Sequence, residues 1–248
     1  MNEKPKIAIL RWEEGRVPMG LLQLENLPGN STNPASYPFE VRMIHVEGAC
    51  TETVITNPSQ KLLQGMIEIA RRLVEEEGIQ AITTSCGFNA VFQTELSKAV
   101  PVPVFTSALL QIPFIKNLIG DRPIGVLTAN GKALTRKHFT ACGVDKDTAL
   151  HVMGLEGAPQ WNKIFTNPDE MFEAELVEQE ILEEVKQGVK NCPNMGAILL
   201  ECTDLPPFRR KIQEETGLPV FDFSSMMSMV AAALGEVSLV EISTFMGS

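Results

Sequence analysis

Apolar positions along this chain follow two rhythms. Short unbroken runs at KIAIL (6–10), AITT (81–84), VPVF (102–105), IGVL (124–127), AILL (197–200) and PVF (219–221) read as buried strands. FEVRMIHV (39–46) alternates instead and reads as a half-buried strand. Between them the spacing turns helical. Leu62, Leu63, Met66, Ile69, Ala70 and Leu73 share one helix face up to Gly78, a fitting C-terminal stop, and Asn57-Pro58 offers a cap and a first helical residue. Further helices are expected over 89–99, 107–118 and 132–141. A long glutamate-rich helix is expected from Asn167-Pro168 to about Val189, its Glu173 to Glu184 run a solvated face. Another should run from Pro206 or Pro207 to Thr216. A last one, capped by Ser224 or Ser225, should reach Ala233, with Met226, Met227 and Met229 in the core. Residues 13–38 are rich in Gly and Pro and read as a long loop with one helical turn at 21–24. Loops of that length are often functional covers. Strands alternating with helices predict an α/β protein with parallel sheets covered on both faces.

The pattern is written twice. AITTSC ends at Cys86 and AILLEC ends at Cys202, 116 positions later. The same offset pairs Ala81 with Ala197, Ile82 with Ile198, Phe92 with Phe208, Pro103 with Pro219, Val104 with Val220 and Phe105 with Phe221. Thr56-Asn57-Pro58 recurs as Thr166-Asn167-Pro168, and IAIL from Ile7 echoes IGVL from Ile124. Such a long period predicts two similar lobes related by a pseudo-twofold axis, not a solenoid. We place them at 1–120 and 121–248, with Asp121-Arg122-Pro123 as connector and the final helix free to pack back on the first lobe. Ligands of parallel α/β sheets bind beyond the carboxyl ends of the strands. Each repeated cysteine falls there, just before a helix, so two facing lobes would bring Cys86 and Cys202 to one cleft.

Two thiols in one cleft suit proton transfer. A helix N-terminus favours the thiolate and lowers its pKa from roughly 8.5. One thiolate takes a proton from one face of a carbon and the opposite thiol returns one to the other face. The remaining cysteines, Cys50, Cys142 and Cys192, have no such partner and read as buried space-fillers. Composition narrows the field further. The net charge of −10 and the lack of a basic stripe argue against nucleic acid. An odd number of cysteines without a C-x-x-C pair argues against a disulfide framework, and three scattered histidines argue against a metal site. No glycine-rich phosphate motif stands after a strand. The opening apolar run is too short for a signal segment or a membrane span, so a cytoplasmic protein with no membrane partner is expected. Asn30-Ser31-Thr32 matches a glycosylation acceptor, which has no meaning without a secretory signal.

TTSCGFNA around Cys86 and LLECTDLPPF around Cys202 resemble the paired catalytic cysteines of the aspartate/glutamate racemase superfamily, which also includes hydantoin racemases and maleate isomerases. The resemblance covers most of the chain. It implies two α/β lobes with the active site between them, no cofactor, a small carboxylate substrate, frequent homodimers, and proton transfer by Cys86 and Cys202. It also implies substrate-binding roles for Thr203 and for Thr128 in GVLTANG, while Asp204 stands where many members have glutamate. The chain departs from amino-acid racemases at Gly87-Phe88, where Asn-Thr is typical, with Asn89 as a substitute polar group. It departs again at Arg11-Trp12-Glu13, where Arg11 would clamp a carboxylate. Trp12 and Phe88 point to a substrate less polar than glutamate. The leading expectation is a racemase or epimerase. The alternatives are a cis-trans isomerase or decarboxylase of the same superfamily using one cysteine as nucleophile or proton donor, and a two-lobed binding protein without turnover.

Overall fold

The protein is described here by a computed structural model covering residues 5–236; the outermost parts of the two expected lobes, 1–4 and 237–248, lie outside the described residues. Among the described residues, eight strands form two parallel four-stranded sheets. The first has the order β2-β1-β3-β4, from β1 (Ile7–Arg11), β2 (Val41–His45), β3 (Ala81–Thr84) and β4 (Val104–Phe105). The second repeats it as β6-β5-β7-β8, from β5 (Ile124–Thr128), β6 (Leu150–Gly154), β7 (Ala197–Leu200) and β8 (Val220–Phe221). The repeat holds at the level of register. Ile82 and Thr83 pair with Val104 and Phe105, while Ile198 and Leu199, 116 positions on, pair with Val220 and Phe221.

The central strands are buried on both faces because helices cover both. β1, β3, β5 and β7 are almost wholly buried. α2 (Gln60–Arg72) buries Leu62, Leu63, Met66, Ile67 and Ala70, and the chain then widens into a π turn that stops at Gly78, whose φ of 75° favours glycine. The remaining helices are α1 (Met19–Glu25), α3 (Gln93–Ala99), α4 (Ile112–Ile119), α5 (Arg136–Ala141), α6 (Lys163–Thr166), α7 (Ala174–Asn191), α8 (Arg209–Thr216) and α9 (Phe223–Ala233). α9 crosses back to the first sheet, where its Phe223, Met226, Met227 and Ala231 pack on Ile7, Ile9, Ala81 and Phe105. Burying one such large side chain is worth about 1.5–3 kcal/mol.

Several boundaries differ from the sequence reading. α2 is capped by the Ser59 side chain, which accepts from Leu62 N–H, and Asn57-Pro58 is a turn before it. α5 starts after Thr135, in a capping box with His138, and not at 132. The long helix starts at Ala174; Asn167-Pro168 ends α6 instead of opening α7. Asp222, not Ser224 or Ser225, caps α9, by accepting from Ser225 N–H at 2.7 Å. Met229 is exposed, unlike Met226 and Met227. The strand β6 went unread, because its residues are mostly half-buried and its apolar run is interrupted by His151. Among the described residues, no helix is long and apolar enough to cross a membrane.

Candidate active site

In each sheet the chain leaves the first strand for one edge and then crosses to the other side of that strand. The switch therefore lies between β1 and β3, and between β5 and β7, at their carboxyl ends. Trp12 follows β1, Cys86 follows β3, Ala129 follows β5 and Cys202 follows β7. All four line one cavity between the sheets. The cavity has a volume of about 30 Å³, room for about one water. Its cover is the 13–38 segment, which contributes Val17, Leu21, Glu25 and Thr32 to the wall.

The two halves meet at close quarters. Thr203 Oγ1 donates to the Ser85 carbonyl, and Ser31 N–H donates to the Thr203 carbonyl at 3.3 Å. Gly87 lies against Glu201, so that a Cβ at Gly87 would overlap both the carboxylate and the carbonyl oxygen of Glu201. Only glycine permits this approach. Phe88 is buried and meets the ring of His138 edge-on, with centroids 5.3 Å apart. Asn30, fully buried, donates from Nδ2 to Asp204 Oδ1 at 2.8 Å, and its Oδ1 accepts from Thr32 N–H at 2.9 Å. Cys202 Sγ donates to Asp204 Oδ2 at 3.7 Å.

The electrostatics reverse one expectation. Burial holds the Cys86 thiol well above its ordinary range, and the nearby Glu201 charge adds to this; the backbone N–H of Phe88 and the indole N–H of Trp12 pull the other way. Burial, then Asp204 and Glu201, hold the Cys202 thiol up as well. The short 3-10 turn that follows Cys86 (Gly87–Phe92) carries too little dipole to outweigh desolvation, so burial favours the thiol form at both sulfurs. Burial also pushes two carboxyls up. Glu201 rises to about 7, opposed by the Thr128 hydroxyl, which donates to Glu201 Oε2 at 2.7 Å. Asp204 rises to about 7, opposed by Asn30. A carboxyl near neutrality is suited to exchanging a proton with a neighbouring thiol.

The cavity thus brings together Cys86, Gly87, Phe88, Cys202, Thr203 and Asp204. Three other residues singled out from the sequence stand behind the wall. Arg11 is ion-paired to Glu25, with Nη2 2.7 Å from Oε2. Asn89 is buried with Oδ1 unpartnered among the described residues. Thr128 holds Glu201. Asn30, Glu25, Thr32 and Glu201 escaped the sequence reading. Asn30 to Thr32 showed only as a sequon in a polar loop, although a buried polar triad there has its own logic. Among the described residues no group of three or more His, Cys, Asp or Glu side chains is arranged to hold a metal ion.

A parallel two-lobed α/β protein with a cysteine from each lobe in a shared cavity defines a recognisable class. Residues 67–231 match the family model of Asp/Glu/Hydantoin racemases, and the chain belongs to that family. A dimethylsulfoniopropionate lyase of Durusdinium sp. clade D is 33% identical over 202 residues, which are 79% of this chain and 66% of that protein. Dimethylsulfoniopropionate lyase 5 of Emiliania huxleyi is 26% identical over 241 residues, 92% of this chain and 45% of that protein. The chain therefore spans two thirds or less of the length of these two relatives. Among solved structures, an allantoin racemase from Pseudomonas fluorescens superposes with a TM-score of 0.60 at 14% identity, covering 93% of this chain and 90% of its own. That last likeness is one of fold.

Proposed function

We propose that the protein is a cofactor-independent enzyme that removes the proton from the carbon next to a carboxylate and expels a group from the adjacent carbon, a β-elimination. The observation that carries this reading is the cavity that holds both Cys86 and Cys202, one from each lobe. The surroundings divide the labour between them. Cys86, at the carboxyl end of β3 and ahead of a short 3-10 turn, is assigned the thiolate base. Cys202 donates toward Asp204, a carboxyl that titrates near 7, and so keeps its proton in reserve on the opposite side. In the elimination, Cys86 first loses its thiol proton to solvent while the cover is open; the thiolate then takes the α-proton, the C–C double bond forms, and the electron pair of the β-bond departs with the leaving group. Cys86 then returns its proton to solvent when the cover opens. The sequence relatives named as lyases support elimination over simple return of the proton. The two thiols in one cavity favour a second reading, racemisation, in which Cys202 reprotonates the opposite face.

Proton NMR in D₂O tests this directly. The panel would hold β-substituted propionates, dimethylsulfoniopropionate among them, beside amino acids and hydantoins. Alkene formation that falls at least about 100-fold in Cys86→Ala supports elimination, and a matching fall in Cys202→Ala gives the second thiol a part in it. Deuterium at an α-carbon with inversion, and no alkene, selects racemisation. Full activity in either variant sinks the two-thiol site.

A further inference from the structure

We infer that the protein has a second binding site, for a small organic phosphate, in the basic recess where α5 meets the start of α2. The inference is independent of the reaction proposed above. Both halves of the molecule line the recess. Residues 55–58, with Val91 and Phe92, form one side, and residues between Lys132 and His138 form the other. Its volume is about 690 Å³, which suits a small molecule and far exceeds that of the reaction cavity. The two spaces are separate. Phe88 on the wall of one meets His138 on the wall of the other, and Ile55 borders both.

Charge selects the ligand. Lys132, Arg136 and Lys137 line the recess and no Asp or Glu does, in a chain whose net charge is −10. None of the three forms an ion pair among the described residues. Arg136 donates to the Val144 carbonyl at 3.3 Å, so it adds charge while the two lysines are left for the ligand. Exposed lysines alone are only solvated surface. Here they rim a concave wall that also holds a buried donor without an acceptor. His138 is 3% exposed, and its Nδ1 accepts from Thr135 N–H at 3.1 Å. Burial holds the ring below its ordinary pKa and so keeps it neutral at pH 7. The single ring proton is therefore on Nε2, which has no partner among the described residues. An oxygen of a bound anion supplies the missing acceptor. A carboxylate offers one charge and two oxygens in one plane. A phosphate monoester offers nearly two charges and three oxygens, enough to meet both lysines and Nε2 together. The recess is larger than a phosphate group, and Ile55, Val91 and Phe92 make part of its wall apolar. The phosphate therefore carries an organic group with an apolar face.

Calorimetry with phenyl phosphate, benzoate and phenol tests this. Wild type should bind phenyl phosphate saturably and at least about tenfold more tightly than benzoate, with phenol weaker still. Lys132→Gln/Lys137→Gln changes two exposed side chains and should weaken phenyl phosphate at least about tenfold. His138→Gln keeps an acceptor for Thr135 N–H, since glutamine is a usual capping-box residue, and should weaken it as well. In wild type carrying isotope-labelled histidine, the His138 Nε2 resonance should move as phenyl phosphate is added. Failure of phenyl phosphate to saturate wild type below about 10 mM overturns the proposal. Benzoate bound as tightly as phenyl phosphate overturns the ligand class. Affinity unchanged in Lys132→Gln/Lys137→Gln, or a His138 resonance unmoved at saturation, shows that the phosphate sits elsewhere and overturns the site.

Discussion

Glu201 sets a pH-dependent cost on the fold. One oxygen accepts from Thr128 and the other has no partner among the described residues, in a fully buried setting. Its folded-state pKa near 7 lies above the ordinary carboxyl value. The folded state therefore binds the proton more tightly than the unfolded chain does. That contribution is fully present below the ordinary value and is lost as pH rises toward 7. Asp204 acts in the same sense. Glu201→Gln keeps an acceptor for Thr128 and removes the charge. We expect it to raise stability at pH 8 by on the order of 3 kcal/mol and to change it little at pH 4. Urea denaturation at the two pH values reads this, and an equal effect at both would assign the change to packing. At this scale the sequence was legible where a residue stood in a repeat. Cys86 and Cys202 were found that way. Asn30 was not, because its partner Asp204 is 174 positions away and no local spacing announces the contact.

At the scale of the element, α1 gives Leu21 and Glu25 to the cavity wall and is clamped to the second half. Its Gln23 side chain forms two hydrogen bonds with one residue of the second half: Nε2 donates to the Phe172 carbonyl at 3.2 Å, and Oε1 accepts from Phe172 N–H. Met19 N–H donates to the Pro168 carbonyl at 2.8 Å, and Gly20 lies so close to the Phe172 ring that a side chain there would overlap it. The cover is thus pinned to the 168–172 segment. Gln23→Ala removes two bonds worth about 1 kcal/mol each. Alkylation of Cys86 and Cys202 by iodoacetamide, followed by mass spectrometry, should then quicken by about tenfold or more. An unchanged rate would show that opening does not pass through this clamp. The helical turn near 21–24 was legible from its leucines, yet the clamp was not. Gln23 and Phe172 are an ordinary surface pair until the lobes are assembled. The starts of α5 and α7 were misplaced for a related reason. Lys132 and Asn167 lie in stretches whose local preferences permit a helix, but tertiary packing and the caps that form decide the boundary.

At the scale of the molecule, the architecture was the most legible part. Fully buried parallel strands announce themselves as short apolar runs, and the same 116-position offset recurs in the observed register. The half-buried edge strand β6 shows the limit of that signal. Which lobe faces contact each other was not written in either rhythm, since those contacts depend on single residues such as Gly87. The cavity they enclose, with room for about one water, has a consequence for the clock of the enzyme. On the proposed reading each cycle includes an opening and a closing, and segments that swing through solvent are slowed by its friction. If chemistry in the sealed site is fast, kcat should fall in proportion to relative viscosity as sucrose is added, while a slow alternative substrate should show no such dependence. A flat response with the best substrate would place the bond-breaking step, and not the motion of the cover, in command of turnover.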